Sequence, residues 1–219
     1  MRTYGEGCAA AHALDLIGER WALLVVRELL LGPKRFTDLR AGLPGVSSNV
    51  LSERLRELER AGVVRRRKLR PPAASRVYEL TEWGEELEPV IIQLGRWGAR
   101  SPGLSPDAAI GVDSIILALR TMFDSRAAEE VRASYELRLG EDRFRARVAD
   151  GSLEIVRGDA DRPDATIETH PDTLRALVFG GLGLTEALRS GNVRIEGDMP
   201  AAERFLTLFA LPEPAAVEA

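Results

Sequence analysis

From Val46 to Tyr78 a serine-capped amphipathic helix runs through Gly62 straight into a hairpin loaded with arginine and tipped by Pro71-Pro72. Ser47 stands where a hydroxyl can accept a free backbone N–H, and Leu51, Leu55 and Leu58 recur at helical spacing, which predicts a helix over Ser47 to Ala61. Val63 to Leu69 and Ser75 to Leu80 then read as two paired strands carrying Arg65, Arg66, Arg67, Lys68, Arg70 and Arg76. Val77 and Leu80 anchor the returning strand. A capped helix followed by a basic ribbon is what a winged helix offers duplex DNA, the helix for the major groove and the ribbon for phosphates.

The polar face of this helix carries Ser47, Ser48, Asn49, Ser52, Glu53 and Arg56, with Asn49 suited to adenine and Arg56 to guanine or phosphate. Taken alone, such a face is more often simply solvated, and a basic hairpin can be an edge that resists aggregation. Six cations in one hairpin exceed that need and predict a steep salt dependence of DNA binding through counterion release. The candidate contacts are therefore Ser47, Ser48, Asn49, Ser52, Arg56, Arg66, Arg67, Lys68, Arg70 and Arg76.

Upstream, Leu14, Ile17, Trp21, Leu24, Val25 and Leu29 recur at spacings of three and four and break at Gly18, predicting two successive helices. A third helix is expected over Phe36 to Ala41, ended by Gly42-Leu43-Pro44-Gly45, since Pro44 biases Leu43 away from helical geometry. Downstream, Thr81 can cap a helix with Leu87, Val90, Ile91, Leu94 and Trp97 along one side. Leu87, Ile91, Leu94 and Trp97 are expected to meet their copies in a homodimer, or to pack on the first helix of the same chain.

The whole-chain charge of −4 argues against nucleic acid until the 219 residues are divided. Residues 1–104 hold 17 Lys+Arg against 13 Asp+Glu, net +4, and residues 105–219 hold 13 against 21, net −8. One cysteine, Cys8, excludes an internal disulfide, and His12 and His170 form no metal-ligand cluster. No apolar run approaches the roughly 20 residues of a membrane span, so no membrane partner and a cytoplasmic location are expected.

Ser101-Pro102-Gly103-Leu104-Ser105-Pro106 reads as a connector. A helix with Ile115, Ile116, Leu119, Met122 and Phe123 follows, and then the period changes to two. Tyr135, Leu137 and Leu139, and Phe144, Ala146 and Val148, alternate with polar partners, and Asp150-Gly151 turns into a third strand over Leu153 to Val156. A strand at Ala165 to Glu168, helices near Asp172 to Phe179 and Thr185 to Ser190, a strand at Val193 to Glu196 and a helix from Pro200 to Phe209 complete an α+β unit. No nucleophile and base pair or phosphate loop is evident, so neither an enzyme nor a cofactor is expected.

Two resemblances sharpen this reading. Cys8, Ala13-Leu14-Asp15-Leu16-Ile17-Gly18, Trp21, Gly32-Pro33-Lys34-Arg35-Phe36, Leu55-Arg56-Glu57-Leu58-Glu59, Gly62-Val63-Val64 and Arg76-Val77-Tyr78-Glu79-Leu80-Thr81 resemble the HxlR-type winged-helix regulators, relatives of the MarR group. One departure is Ala9, where the family usually has proline. The resemblance implies a homodimeric transcriptional regulator with Ser47 to Ala61 as recognition helix. Some relatives use the cysteine equivalent to Cys8 as a redox sensor, although the reading preferred from the residue alone is a small buried apolar side chain. Pro163-Asp164-Ala165-Thr166-Ile167 and Gly191-Asn192-Val193-Arg194-Ile195-Glu196-Gly197-Asp198 resemble the sterol-carrier-protein fold. That implies a mixed sheet under a helical cover, around an apolar tunnel. The pocket residues expected for an apolar effector are Ile116, Leu119, Phe123, Leu177, Phe179, Leu182, Leu184, Phe205 and Phe209. The organisation expected is a winged-helix DNA-binding and dimerisation domain over 1–100, a linker at 101–109, a sterol-carrier-like domain over 110–211 and a flexible tail at 212–219.

Overall fold

The computed structural model describes residues 3–70, 75–105 and 108–216. The chain divides into two compact units, Met1–Ile91 and Ile92–Ala219, and the division falls inside one helix, Glu88–Ala99. The expected tip of the hairpin, Pro71-Pro72, lies outside the described residues, as do 106–107 of the expected linker and 217–219 of the expected tail.

The first unit runs α1 (Ala9–Ile17), α2 (Ala22–Leu29), α3 (Phe36–Gly42), α4 (Ser48–Arg60), β1 (Val64–Lys68), β2 (Arg76–Leu80) and α5 (Glu82–Glu85), and enters α6 (Glu88–Ala99). Gly18 ends α1 by donating its N–H to Leu14 O at 2.8 Å. Trp21, at φ 78°, precedes the first turn of α2 in left-handed geometry. Ile17, Val25, Leu29, Leu39, Leu51, Leu55, Leu58, Val63 and Leu80 form the core. Leu14 and Leu24, which the periodicity assigns to the interior, face outward instead, because Leu16 and Leu23 pack on that core. The strands β1 and β2 are antiparallel with Val64 opposite Leu80 and Lys68 opposite Arg76. A reciprocal pair of backbone bonds between Lys34 and Tyr78, at 2.8 and 3.0 Å, ties the loop before α3 to the ribbon.

The second unit contains α7 (Val112–Met122), β3 (Ala133–Leu139), β4 (Asp142–Ala149), β5 (Ser152–Arg157), β6 (Ala165–Thr169), α8 (Pro171–Phe179), α9 (Leu184–Arg189), β7 (Val193–Gly197) and α10 (Met199–Leu206). Its sheet has the order β5-β4-β3-β6-β7, with β3 and β6 parallel and the other neighbours antiparallel. This is the α+β unit that the alternating residues predict, with the mixed sheet and helices that the sterol-carrier resemblance implies. Tyr135, Leu137, Leu139, Phe144, Ala146 and Val148 are buried, while Arg145 and Arg147 between them are exposed. Asp150 (φ 52°) and Gly151 (φ 69°) both take left-handed geometry, as the tight turn between β4 and β5 requires.

Two details of this unit differ from the sequence reading. The last helix stops at Leu206 rather than Phe209, because Phe209 leaves it to bridge Phe123. Part of the expected tail is tied down: Ala215 N–H donates to Arg100 O at 2.8 Å and Arg100 Nε–H to Glu213 O at 3.1 Å. Among the described residues no helix is long and apolar enough to cross a membrane.

Candidate nucleic-acid interface

Ser47 caps α4 by accepting the N–H of Val50 at 3.3 Å, which fixes where the helix starts. Leu51, Leu55 and Leu58 turn inward, leaving Ser47, Ser48, Asn49, Glu53 and Arg56 exposed and Ser52 half-buried. Arg54 is different: it is buried and pairs with Glu57 at 2.5 Å and with Glu19 and Glu53 at 3.6 Å. Arg56, and Arg60 in the last turn, are therefore the exposed cations of this helix.

The wing is tied to α4 through Arg66, whose guanidinium pairs with Glu59 at 2.8 Å and lies 5.2 Å from the Tyr78 ring centroid. Arg65 and Arg67 each donate Nε–H to a different oxygen of Glu79, at 2.9 and 2.7 Å. Among the described residues Lys68, Arg70 and Arg76 have no carboxylate partner, and all three are exposed. Lys68 stands directly across from Arg76, and opposed like charges destabilise a ribbon until an anion screens them. Thus the expected wing contacts separate into Arg66 and Arg67, already paired with a carboxylate, and Lys68, Arg70 and Arg76, which among the described residues are not.

Two further cations join this surface that the sequence reading leaves out. Arg40 of α3 donates to Ser48 Oγ at 3.1 Å, and Arg35, just before α3, donates to Ser75 Oγ at 3.1 Å beside β2. The basic run Lys34-Arg35 and the single Arg40 carry that signal, but only the fold brings them beside α4 and the ribbon.

The HxlR-like helix-turn-helix model matches residues 16–103 and the SCP-2 sterol transfer family model residues 120–210. The HTH-type transcriptional regulator YdeP of Bacillus subtilis (strain 168) is 39% identical over 95 residues, 43% of this chain and 74% of that protein. YvaP, another HTH-type transcriptional regulator of the same organism, is 41% identical over 85 residues, 39% of this chain and 79% of its own length. The solved reduced form of the transcriptional regulator YodB from B. subtilis shares 33% identity over 45% of this chain and 97% of its own, with a TM-score of 0.40.

The chain belongs to the HxlR-like helix-turn-helix family. Its first unit holds the DNA-binding helix-turn-helix domain of a transcriptional regulator, and its second carries the SCP-2 sterol transfer fold.

In this HxlR-like chain the apolar stripe of α6 divides. Leu87 and Ile91 pack against the core of the first unit. Leu94 and Trp97 remain 48% and 75% exposed, and Val90 is exposed beside them. Cys8 is exposed too, contrary to the buried apolar reading. It immediately precedes α1, where hydrogen bonds from the Ala11 and Ala10 amides outweigh desolvation and hold its thiol below the ordinary cysteine range.

The SCP-2 unit distributes the nine expected pocket residues unevenly. Ile116, Leu119 and Phe205 have no exposure, and Phe209 is buried with its ring centroid 5.1 Å from that of Phe205. Phe123, Leu177, Phe179, Leu182 and Leu184 are half-buried. None of the nine lines either of two concavities in this unit, one of about 290 Å³ at Arg132, Ser134, Arg147 and Asp164, the other of about 430 Å³ at Val131, Tyr135, Ala201 and Arg204. Tyr135 is one of the residues lining the larger concavity, and its buried hydroxyl has no hydrogen-bond partner among the described residues. Burial first, then the charge of Asp164 and Asp198 working against Arg204, pushes that phenol above its ordinary pKa and keeps it a neutral donor.

Proposed function

We propose that this regulator binds duplex DNA as a homodimer, each subunit laying α4 in the major groove and its wing on the flanking backbone. The observation that carries the reading is the Glu59–Arg66–Tyr78 strut, which joins the polar-faced helix to the ribbon bearing Lys68, Arg70 and Arg76. Ser47, Ser48, Asn49, Ser52 and Arg56 meet base edges and nearby phosphates, while Arg66, Arg67, Lys68, Arg70 and Arg76 supply the electrostatic grip. Leu94, Trp97 and Val90, with Leu87 and Ile91 anchoring the helix behind them, form the face between subunits. Selecting duplexes from a random-sequence pool tests this: Asn49→Ala changes the selected sequence while keeping nonspecific binding, and an unchanged selection refutes the placement of the recognition face.

The SCP-2 unit is the effector module in this reading, taking a mostly apolar small molecule that bears one polar end. Support comes from the concavity in which Val131, Ala133 and Ala201 stand beside Glu130, Arg204 and Tyr135, the last with an unpartnered hydroxyl among the described residues. Such a molecule alters DNA affinity only by binding the DNA-competent and incompetent states unequally. Titrating the affinity of the selected duplex against medium- and long-chain fatty acids and sterols checks it. A second reading, in which this unit is only a dimerisation or recruitment scaffold, is favoured by the filled interior around Ile116, Leu119 and Phe205, and predicts no change under any of them. Cys8, exposed before α1, is a candidate second input through thiol oxidation or alkylation.

A further inference from the structure

We infer that Glu79 is a positioning residue of the DNA interface: by holding the Nε–H groups of Arg65 and Arg67 it presents their outer amines as a prepared pair of forks for backbone phosphate. This deepens the DNA-binding reading and rests on it. Arg65 lies opposite Glu79 and Arg67 opposite Val77, so by the two-residue period of the ribbon all four share one face. Glu79 is the inner member, with its side chain 12% exposed against 62% and 50% for Arg65 and Arg67. Each carboxylate oxygen takes one Nε–H, at 2.9 and 2.7 Å. A guanidinium is planar, so fixing Nε also fixes the plane in which its terminal amines lie, and among the described residues no other acceptor takes them. Two long side chains thereby lose rotamer freedom before DNA arrives, which lowers the ordering cost of each phosphate contact. Burial would raise the Glu79 carboxyl, yet the two arginines outweigh it and hold the acid ionised below the usual carboxylate range.

The sign of one substitution separates this from simple electrostatics. A carboxylate close to a polyanion repels it, so charge alone predicts that Glu79→Gln tightens binding. Positioning predicts the reverse, since an amide cannot accept both Nε–H groups equally. The experiment measures fluorescence anisotropy of the full chain on a duplex selected by the wild-type protein from a random pool, at ~0.1 M salt. Glu79→Gln weakens binding about three- to tenfold, and Arg65→Ala/Arg67→Ala weakens it about tenfold or more. In the Arg65→Ala/Arg67→Ala background the same Glu79→Gln causes no further loss. Unfolding curves accompany each variant, and Glu79→Asp, which keeps the charge but shortens its reach, carries the test if the glutamine variant does not fold. Equal or tighter binding by Glu79→Gln overturns the inference, and so does an equal loss in both backgrounds, the mark of a purely structural ion pair. If Arg65→Ala/Arg67→Ala binds like wild type, these two arginines do not meet phosphate and the positioning role falls, whereas the DNA-binding reading fails only if Lys68→Ala/Arg70→Ala/Arg76→Ala also binds like wild type. If that pair matters but Glu79 does not, the positioning role alone falls.

Discussion

Gly84 is fixed by space rather than by backbone freedom: a Cβ there would lie 2.2 Å from Val63 O and 3.3 Å from Leu80 Cβ. Gly84→Ala must therefore push α5 off the start of β1, at a cost of about 1–3 kcal/mol in urea unfolding. Gly98 in α6 has nothing within 4 Å of the same added atom, so Gly98→Ala leaves stability unchanged or raises it by up to about 1 kcal/mol. The Cys8 thiol, held below its ordinary pKa, carries more thiolate near neutral pH than a free cysteine. Iodoacetamide should label it faster than it labels a cysteine in an unstructured peptide at pH 7, and an equal rate would remove Cys8 as an input. At this scale the capping role of Ser47 is legible in the chain, because a cap depends on its immediate neighbours. The crowding at Gly84 is not, because Val63 approaches it only through the ribbon.

The ribbon as an element contains cations of two kinds. Lys68 and Arg76 oppose each other without a carboxylate partner among the described residues, so Lys68→Ala/Arg76→Ala should lower the salt slope of DNA binding by about two. Folded stability should hold or rise, since repulsion across the ribbon is removed. Arg66→Ala instead breaks a link between α4 and the wing, lowering the thermal midpoint as well as affinity, as calorimetry beside anisotropy would register. The sequence counts six equivalent cations here. Their division follows from register, which the Leu69–Ser75 and Lys34–Tyr78 backbone bonds fix, and register is invisible in composition. The helix-turn-helix punctuation and the Asp150-Gly151 turn are legible because each is written in a few adjacent residues. The end of α10 is not, since Phe123, far away in the chain, draws Phe209 out of it.

For the whole molecule the depressed carboxylates set the response to acid. Hydrogen bonds from Ser134 lower Asp164, and at Glu136 burial is outweighed by the Ala160 amide and Arg138, as it is at Glu79 by Arg65 and Arg67. Each folded pKa lies below its unfolded value, so the stabilisation is complete above the ordinary carboxylate range and is lost as pH falls through the folded values. Thermal midpoints should hold from neutral pH down to that range and drop beneath it, more gently in Glu136→Gln, which starts lower at neutral pH. Replacing Leu94 and Trp97 together by serine should shift sedimentation from dimer to monomer, leaving the midpoint of each unit nearly unchanged. Whether the SCP-2 interior holds a ligand could not be read from the chain, because a filled core and a tunnel use the same residues. The strut of Glu59, Arg66 and Tyr78 uses none of Ser48, Asn49 and Ser52 on the polar face proposed to read bases. Paralogues could drift to new operators by exchanging those three alone, which makes this scaffold a ready starting point for engineered promoter rewiring.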